Sequence, residues 1–191
     1  QDEPGIVDEY VKTGKVQLEF RHLPILGRES LQAAIASECA AKQNKFWQYH
    51  HKLFLTQAEA GQASDEQIDD GRFTDDNLRK FAGELGLDQG QFDTCFSSDE
   101  VLQKVNSDDA QAKQFGITGT PNFLLNGVPA GSDVGNMDNW RRFLNEQLDR
   151  IANATLTPAG SPTPILTITT TSTPTPGAAT SAASASASAA A

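Results

Sequence analysis

The chain has 191 residues, with 25 acidic and 15 basic side chains and a net charge of −10 at pH 7. That balance argues against nucleic acid or an anionic membrane surface as a partner, since both need basic surface. Two cysteines are present, Cys39 and Cys95, 56 positions apart, which excludes a local CxxC redox pair and a four-ligand zinc site within these residues.

In chain order, Ile6, Val7, Tyr10 and Val11 recur at helical spacing and Gly14 supplies a stop, so residues 6–13 read as the last turns of a helix that began earlier. Lys15–Arg21 alternates Val16, Leu18 and Phe20 on one face, a half-buried strand. Pro24 and Gly27 break it, and Ser30 is placed to cap the next helix. Leu31–Gln43 carries an apolar stripe of Leu31, Ala34, Ile35, Cys39 and Ala41, and Phe46–Phe54 continues helically with Phe46, Trp47, Tyr49, Leu53 and Phe54. A third helix is expected over 75–85, capped by Thr74 and stopped by Gly86, and a short fourth carries Phe92, Cys95 and Phe96. Ser97 with Glu100 reads as the capping box of a fifth, over 98–115, ending at Gly116.

The pattern then changes. Asn122–Leu125 is apolar and is followed by Asn126-Gly127, the strongest short hairpin signal, with a return strand at 128–131. Met137–Ile151 closes the folded part as a helix with Trp140, Phe143, Leu144, Leu148 and Ile151 inward. Residues 1–152 are therefore expected to be one domain. From Asn153 to Ala191 there is no charged residue, and Thr, Ser, Ala and Pro dominate. Such a composition cannot bury enough apolar surface to offset ordering, so 153–191 reads as a disordered tail.

Charge is uneven along the chain. Between Glu59 and Asp109 stand 14 acidic residues against Arg72, Arg79, Lys80 and Lys104, while the other 11 acids and 11 bases cancel; the simplest account is a solvated helical face. His50 and His51 point about 100° apart on a helix and cannot easily share an ion, so with His22 they read as packing or surface residues, and no metal site is expected. Cys39 and Cys95 fit either two buried thiols or a disulfide. Asn153-Ala154-Thr155 matches the N-glycosylation pattern, a weak signal by itself.

Three stretches resemble one family. Residues 9–26 (EYVKTGKVQLEFRHLPIL) are similar to the first crossover of DsbA-type thioredoxin-fold proteins, residues 33–54 (AAIASECAAKQNKFWQYHHKLF) to the start of that family's helical insertion, and residues 115–127 (FGITGTPNFLLNG) to the loop carrying its cis-proline. The resemblance implies an α/β thioredoxin fold with a helical insertion over about 30–115. It implies a protein thiol–disulfide oxidoreductase, acting by oxidation, reduction or isomerisation on substrate proteins bearing thiols or disulfides, with a redox partner protein and no cofactor. It places Thr120 and Pro121 in the substrate-binding loop, and a second disulfide between Cys39 and Cys95, as some members carry one in the insertion. An extracytoplasmic setting (periplasmic, cell-surface or secreted) goes with that chemistry.

One departure matters. In the family a central strand leads into the CxxC, and nothing in residues 1–5 (QDEPG) supplies either. The chain also begins without Met or a signal peptide, and is expected to be a fragment lacking the catalytic cysteines and inactive alone. The strands at 16–21 and 122–125 should then flank an empty central slot. The alternatives are a redox-dead thioredoxin-fold module that binds extended peptides and, from relatives of the same architecture, a chromene-carboxylate isomerase or kappa-type glutathione transferase, for which no glutathione-binding sequence is evident.

Overall fold

The computed structural model describes residues 3–59, 67–131, 134–155 and 166–172. In chain order the elements are α1 (Glu3–Ile6), a π-helical turn (Val7–Val11), β1 (Val16–His22), α2 (Gly27–Ala41), α3 (Phe46–Glu59), α4 (Asp75–Glu84), α5 (Gln89–Phe96), α6 (Asp99–Gln114), β2 (Asn122–Leu125), β3 (Val128–Pro129), α7 (Met137–Thr155) and β4 (Leu166–Ser172). Two compact units share the chain: Phe20–Asn122 forms most of one, and Gln1–Glu19 with Phe123–Thr170 most of the other.

The helical unit is the expected insertion. Small residues on α2 (Ala33, Ala36, Cys39 and Ala40, all without exposed surface) let neighbouring helices pack close, and Tyr49, Leu78, Phe92 and Val105 complete the core around them. Tyr49 and Phe92 stack at 5.9 Å, and the Tyr49 hydroxyl donates to the Leu78 carbonyl at 2.8 Å. Burial pushes its phenol well above the ordinary range. Helices α4 and α6 stop as their glycines dictate. After α6, the Gly116 N–H bonds the Lys113 carbonyl and the Ile117 N–H the Ala112 carbonyl, with Gly116 at φ +69°. This paired arrangement satisfies carbonyls the helix leaves open.

Two expected caps fall elsewhere. α2 starts at Gly27, so Ser30 lies inside the helix, not before it. The free amides of the first turn are instead met by the Asp69 carboxylate, which accepts from Arg28 N at 3.1 Å and Glu29 N at 2.7 Å; those amides hold its carboxyl below the usual range. At α6 the cap is Ser98, accepting from Glu100 N at 3.2 Å, while Ser97 ends α5. The expected Ser97–Glu100 capping box therefore does not form: with Ser98 as the cap, Val101 takes the position the box reserves for Glu or Gln.

In the other unit, β2 and β3 form the hairpin announced by Asn126-Gly127, with Leu124 opposite Pro129 and Leu125 opposite Val128. Both turn residues have positive φ, 50° and 81°, as a two-residue turn of matching twist requires. Trp140 and Leu144 of α7 are buried, and Phe123 meets the Trp140 ring edge-on at 4.9 Å. α7 also holds the N-terminal segment: Tyr10 donates to Asn145 Oδ1 at 3.1 Å, and Arg141 clamps both oxygens of Glu9 at 2.6 and 2.8 Å. Gly5 leaves room for the Met137 side chain, whose Sδ would stand 2.7 Å from a Cβ at that position.

The sheet order is β1-β4-β2-β3. As expected, β1 and β2 are not neighbours. The slot between them is not empty, however: β4, from the Thr-rich segment expected to have no partner, lies in it. LTITTTS is rich in β-branched residues and free of charge, a composition that a strand flanked on both sides accepts. α7 likewise runs on to Thr155, past the expected boundary at 152. The remainder of the tail, 156–165 and 173–191, lies outside the described residues.

Candidate functional site

Cys39 lies near the C-terminal end of α2 and Cys95 one residue before the end of α5. Their sulfurs are bonded, with Cα atoms 5.6 Å apart, and no cysteine is free. Cys39 has no exposed surface and Cys95 is 8% exposed. Helix C-termini carry the negative end of the dipole, which disfavours a thiolate; reactive cysteines sit at the opposite end. The bond therefore ties α2 to α5 and is poorly placed for exchange.

The Thr120-Pro121 loop follows α6 and leads directly into β2. Its peptide bond is cis. Thr120 is half-buried and Pro121 exposed, so the backbone of this loop is presented at the surface at the start of a strand. The loop and the disulfide, both singled out from the sequence, share no residue.

A buried charged cluster was not anticipated. Asp108, 1% exposed, accepts from Arg21 Nη1 at 2.9 Å, Lys104 Nζ at 2.7 Å and the His22 N–H at 3.3 Å. The His22 Nε2 bonds Glu38 Oε1 at 2.9 Å. Burial opposes ionisation of Glu38, but the hydrogen bond from His22 and the charges of His22 and Lys104 outweigh it and hold the carboxyl below its ordinary range. His22, Glu38 and Asp108 bring three possible ligand atoms within 4.8 Å of one another. Among the described residues Lys104 already meets both carboxylates, at 2.7 and 3.7 Å, so the ammonium supplies the positive charge a metal would bring. The cluster reads as a structural tie between the end of β1, α2 and α6. Of the other histidines, His50 is buried and His51 exposed.

The thioredoxin family model matches residues 3–146. The chain is similar to disulfide bond formation protein D of Bacillus cereus, 28% identical over 151 residues, covering 77% of this chain and 65% of that protein. It thus spans slightly less than two thirds of that relative's length. It is also similar to the Na⁺/H⁺ antiporter NhaA 1 of Mycolicibacterium vanbaalenii, 34% identical over 113 residues, or 57% of this chain and 16% of the antiporter. A crystal structure assigned as a protein disulfide isomerase from Nitrosomonas europaea matches 64% of this chain and 57% of its own, at 19% identity and a TM-score of 0.46. With the five-helix insertion between β1 and the Thr120-Pro121 loop, the chain belongs to the thioredoxin family, on its DsbA-type branch.

Proposed function

We propose that this chain is the scaffold and substrate-handling part of an extracytoplasmic protein thiol–disulfide oxidoreductase. The observation that carries the reading is the family match over 3–146 combined with the sheet order, in which β1 and β2 are separated by one strand position. In a thiol–disulfide exchange enzyme a thiolate at a helix N-terminus attacks the substrate sulfur, and a second thiol resolves the mixed disulfide. Neither Cys39 nor Cys95 is available for this, since each is bonded to the other. The exchanging dithiol is therefore supplied by a strand–CxxC segment outside these 191 residues, seated in the position that β4 takes here. Thr120 and Pro121 present backbone to an extended substrate protein bearing thiols or disulfides, and a separate redox partner protein resets the dithiol. No described helix is long and apolar enough to cross a membrane.

A second reading, a redox-inactive module that binds extended peptides, is favoured by the bonded state of both cysteines. Two arms separate the readings. Titrating the labelled chain with an extended, cysteine-containing peptide should shift the amides of Gly119, Thr120 and Asn122 under either. Fusing a strand ending in CxxC ahead of Gln1 should then yield dithiol-driven insulin reduction if the oxidoreductase reading holds. A fused protein that folds, binds the peptide and never exchanges thiols would leave only the binding module.

A further inference from the structure

Ser30 Oγ and His50 Nε2, buried polar atoms of the helical unit, have no hydrogen-bond partner among the described residues. Ser30 is 5% exposed and His50 4% exposed, and both line one cavity, with Phe20, Leu23, Leu53 and Phe54 forming apolar wall. Burying such groups unpaired is costly, and native interiors nearly always satisfy them with protein or ordered water. Each has lost its ordinary alternative. Ser30 lies inside α2, and its hydroxyl bonds no backbone carbonyl among the described residues. His50 is enclosed by the rings of Phe20, Phe46, Trp47 and Phe54, with centroids 4.5–5.8 Å away, and rings offer its nitrogen no strong partner.

The cavity measures about 20 Å³ as room for the centre of a water molecule, where about 10–15 Å³ suffices for one water and two to four polar partners are needed. We infer that this cavity is the binding site of one ordered water, which accepts the Ser30 hydroxyl proton, hydrogen-bonds His50 Nε2 and so joins α2 to α3. Ser37 also lines the cavity; its hydroxyl donates to the Ala34 carbonyl at 2.8 Å, leaving its oxygen able to accept a third bond from the same water. The chemistry excludes other occupants. An apolar molecule would leave Ser30 and His50 unsatisfied. An anion is disfavoured because the imidazole stays neutral, its pKa held near 3 by burial, and a cation because no carboxylate lines the cavity.

Water-nucleus magnetic relaxation dispersion on the 191-residue chain counts long-lived internal waters directly. Ser30→Ala removes only a hydroxyl from a helix that favours alanine, so the fold is retained. The expected result is one fewer long-lived water in Ser30→Ala, with the ¹⁵N shift of His50 Nε2 moving toward that of an unbonded imidazole nitrogen. An equal water count and an unmoved His50 signal would overturn the assignment. A crystal structure of the same chain should show density within hydrogen-bonding distance of both atoms. A cavity without density, or a Ser30 hydroxyl turned onto a helix carbonyl, would equally overturn it.

Discussion

Burial holds the His50 imidazole down to about 3 from an ordinary 6.5, with the charges of His22 and His51 pushing the same way. In the unfolded chain His50 takes up a proton as pH falls below 6.5; in the folded chain it does not until about 3. Its contribution to stability is therefore fully present above 6.5 and is lost progressively as pH falls toward 3, at roughly 1 kcal/mol per pH unit. Urea unfolding at pH 7, 6, 5 and 4 should show this slope, and His50→Phe should flatten it; an unchanged slope would assign the acid sensitivity to other groups. The position of His50 was legible. It stands four residues after Phe46, three after Trp47 and four before Phe54, on the inward stripe of α3. Asp108 was equally exposed to reasoning and was missed: Val101, Val105, 108 and Ala112 form one apolar-spaced stripe. An acid on a stripe announces a buried partner, but the sequence does not say that the partners are Arg21 and Lys104, since 87 positions separate Arg21 from Asp108.

At the scale of the element, the start of α2 depends on a distant loop. Gly27 has φ +78°, and a Cβ there would stand 2.6 and 2.7 Å from the Asp69 carboxylate oxygens and 2.5 Å from Ile68 Cγ2. Gly27→Ala should destabilise the protein by about 1–2 kcal/mol from the left-handed backbone alone, and more if Asp69 is displaced from the Arg28 and Glu29 amides. Chemical denaturation checks this; a neutral effect would contradict the left-handed backbone at Gly27. The sequence could announce a helix near residue 30 but not which carboxylate caps it, because Asp69 comes from 40 positions away. Local signals did better where the partner is local, as with Thr74 capping α4 at Asn77 N and Gly116 ending α6. The Cys39–Cys95 bond closes a loop of 56 positions, which in the chain-entropy model contributes about 4 kcal/mol. Replacing both cysteines with alanine should lower stability by about that amount while leaving the helical far-ultraviolet spectrum intact. A loss well under 1 kcal/mol would contradict a stapling role.

At the scale of the molecule, the chain's most informative departure from its sequence reading is β4. Composition placed Leu166–Ser172 in a tail without partners, yet it lies between β1 and β2. Composition reports how much apolar surface a segment can bury, not whether a sheet elsewhere leaves backbone groups to be paired, and unpaired buried groups cost roughly 1–3 kcal/mol each. Deleting 158–191 should therefore lower the melting temperature by several degrees in calorimetry; an unchanged melt would show that β4 adds nothing to the sheet. Under the proposed function, the redox chemistry of the family is not carried by Cys39 and Cys95, which are bonded to each other. Dithiothreitol-driven insulin reduction by the purified 191-residue chain tests it most directly. The expected result is the uncatalysed rate, with no free thiol by titration before the assay; turnover well above that rate, abolished by Cys95→Ser, would show that these cysteines do exchange.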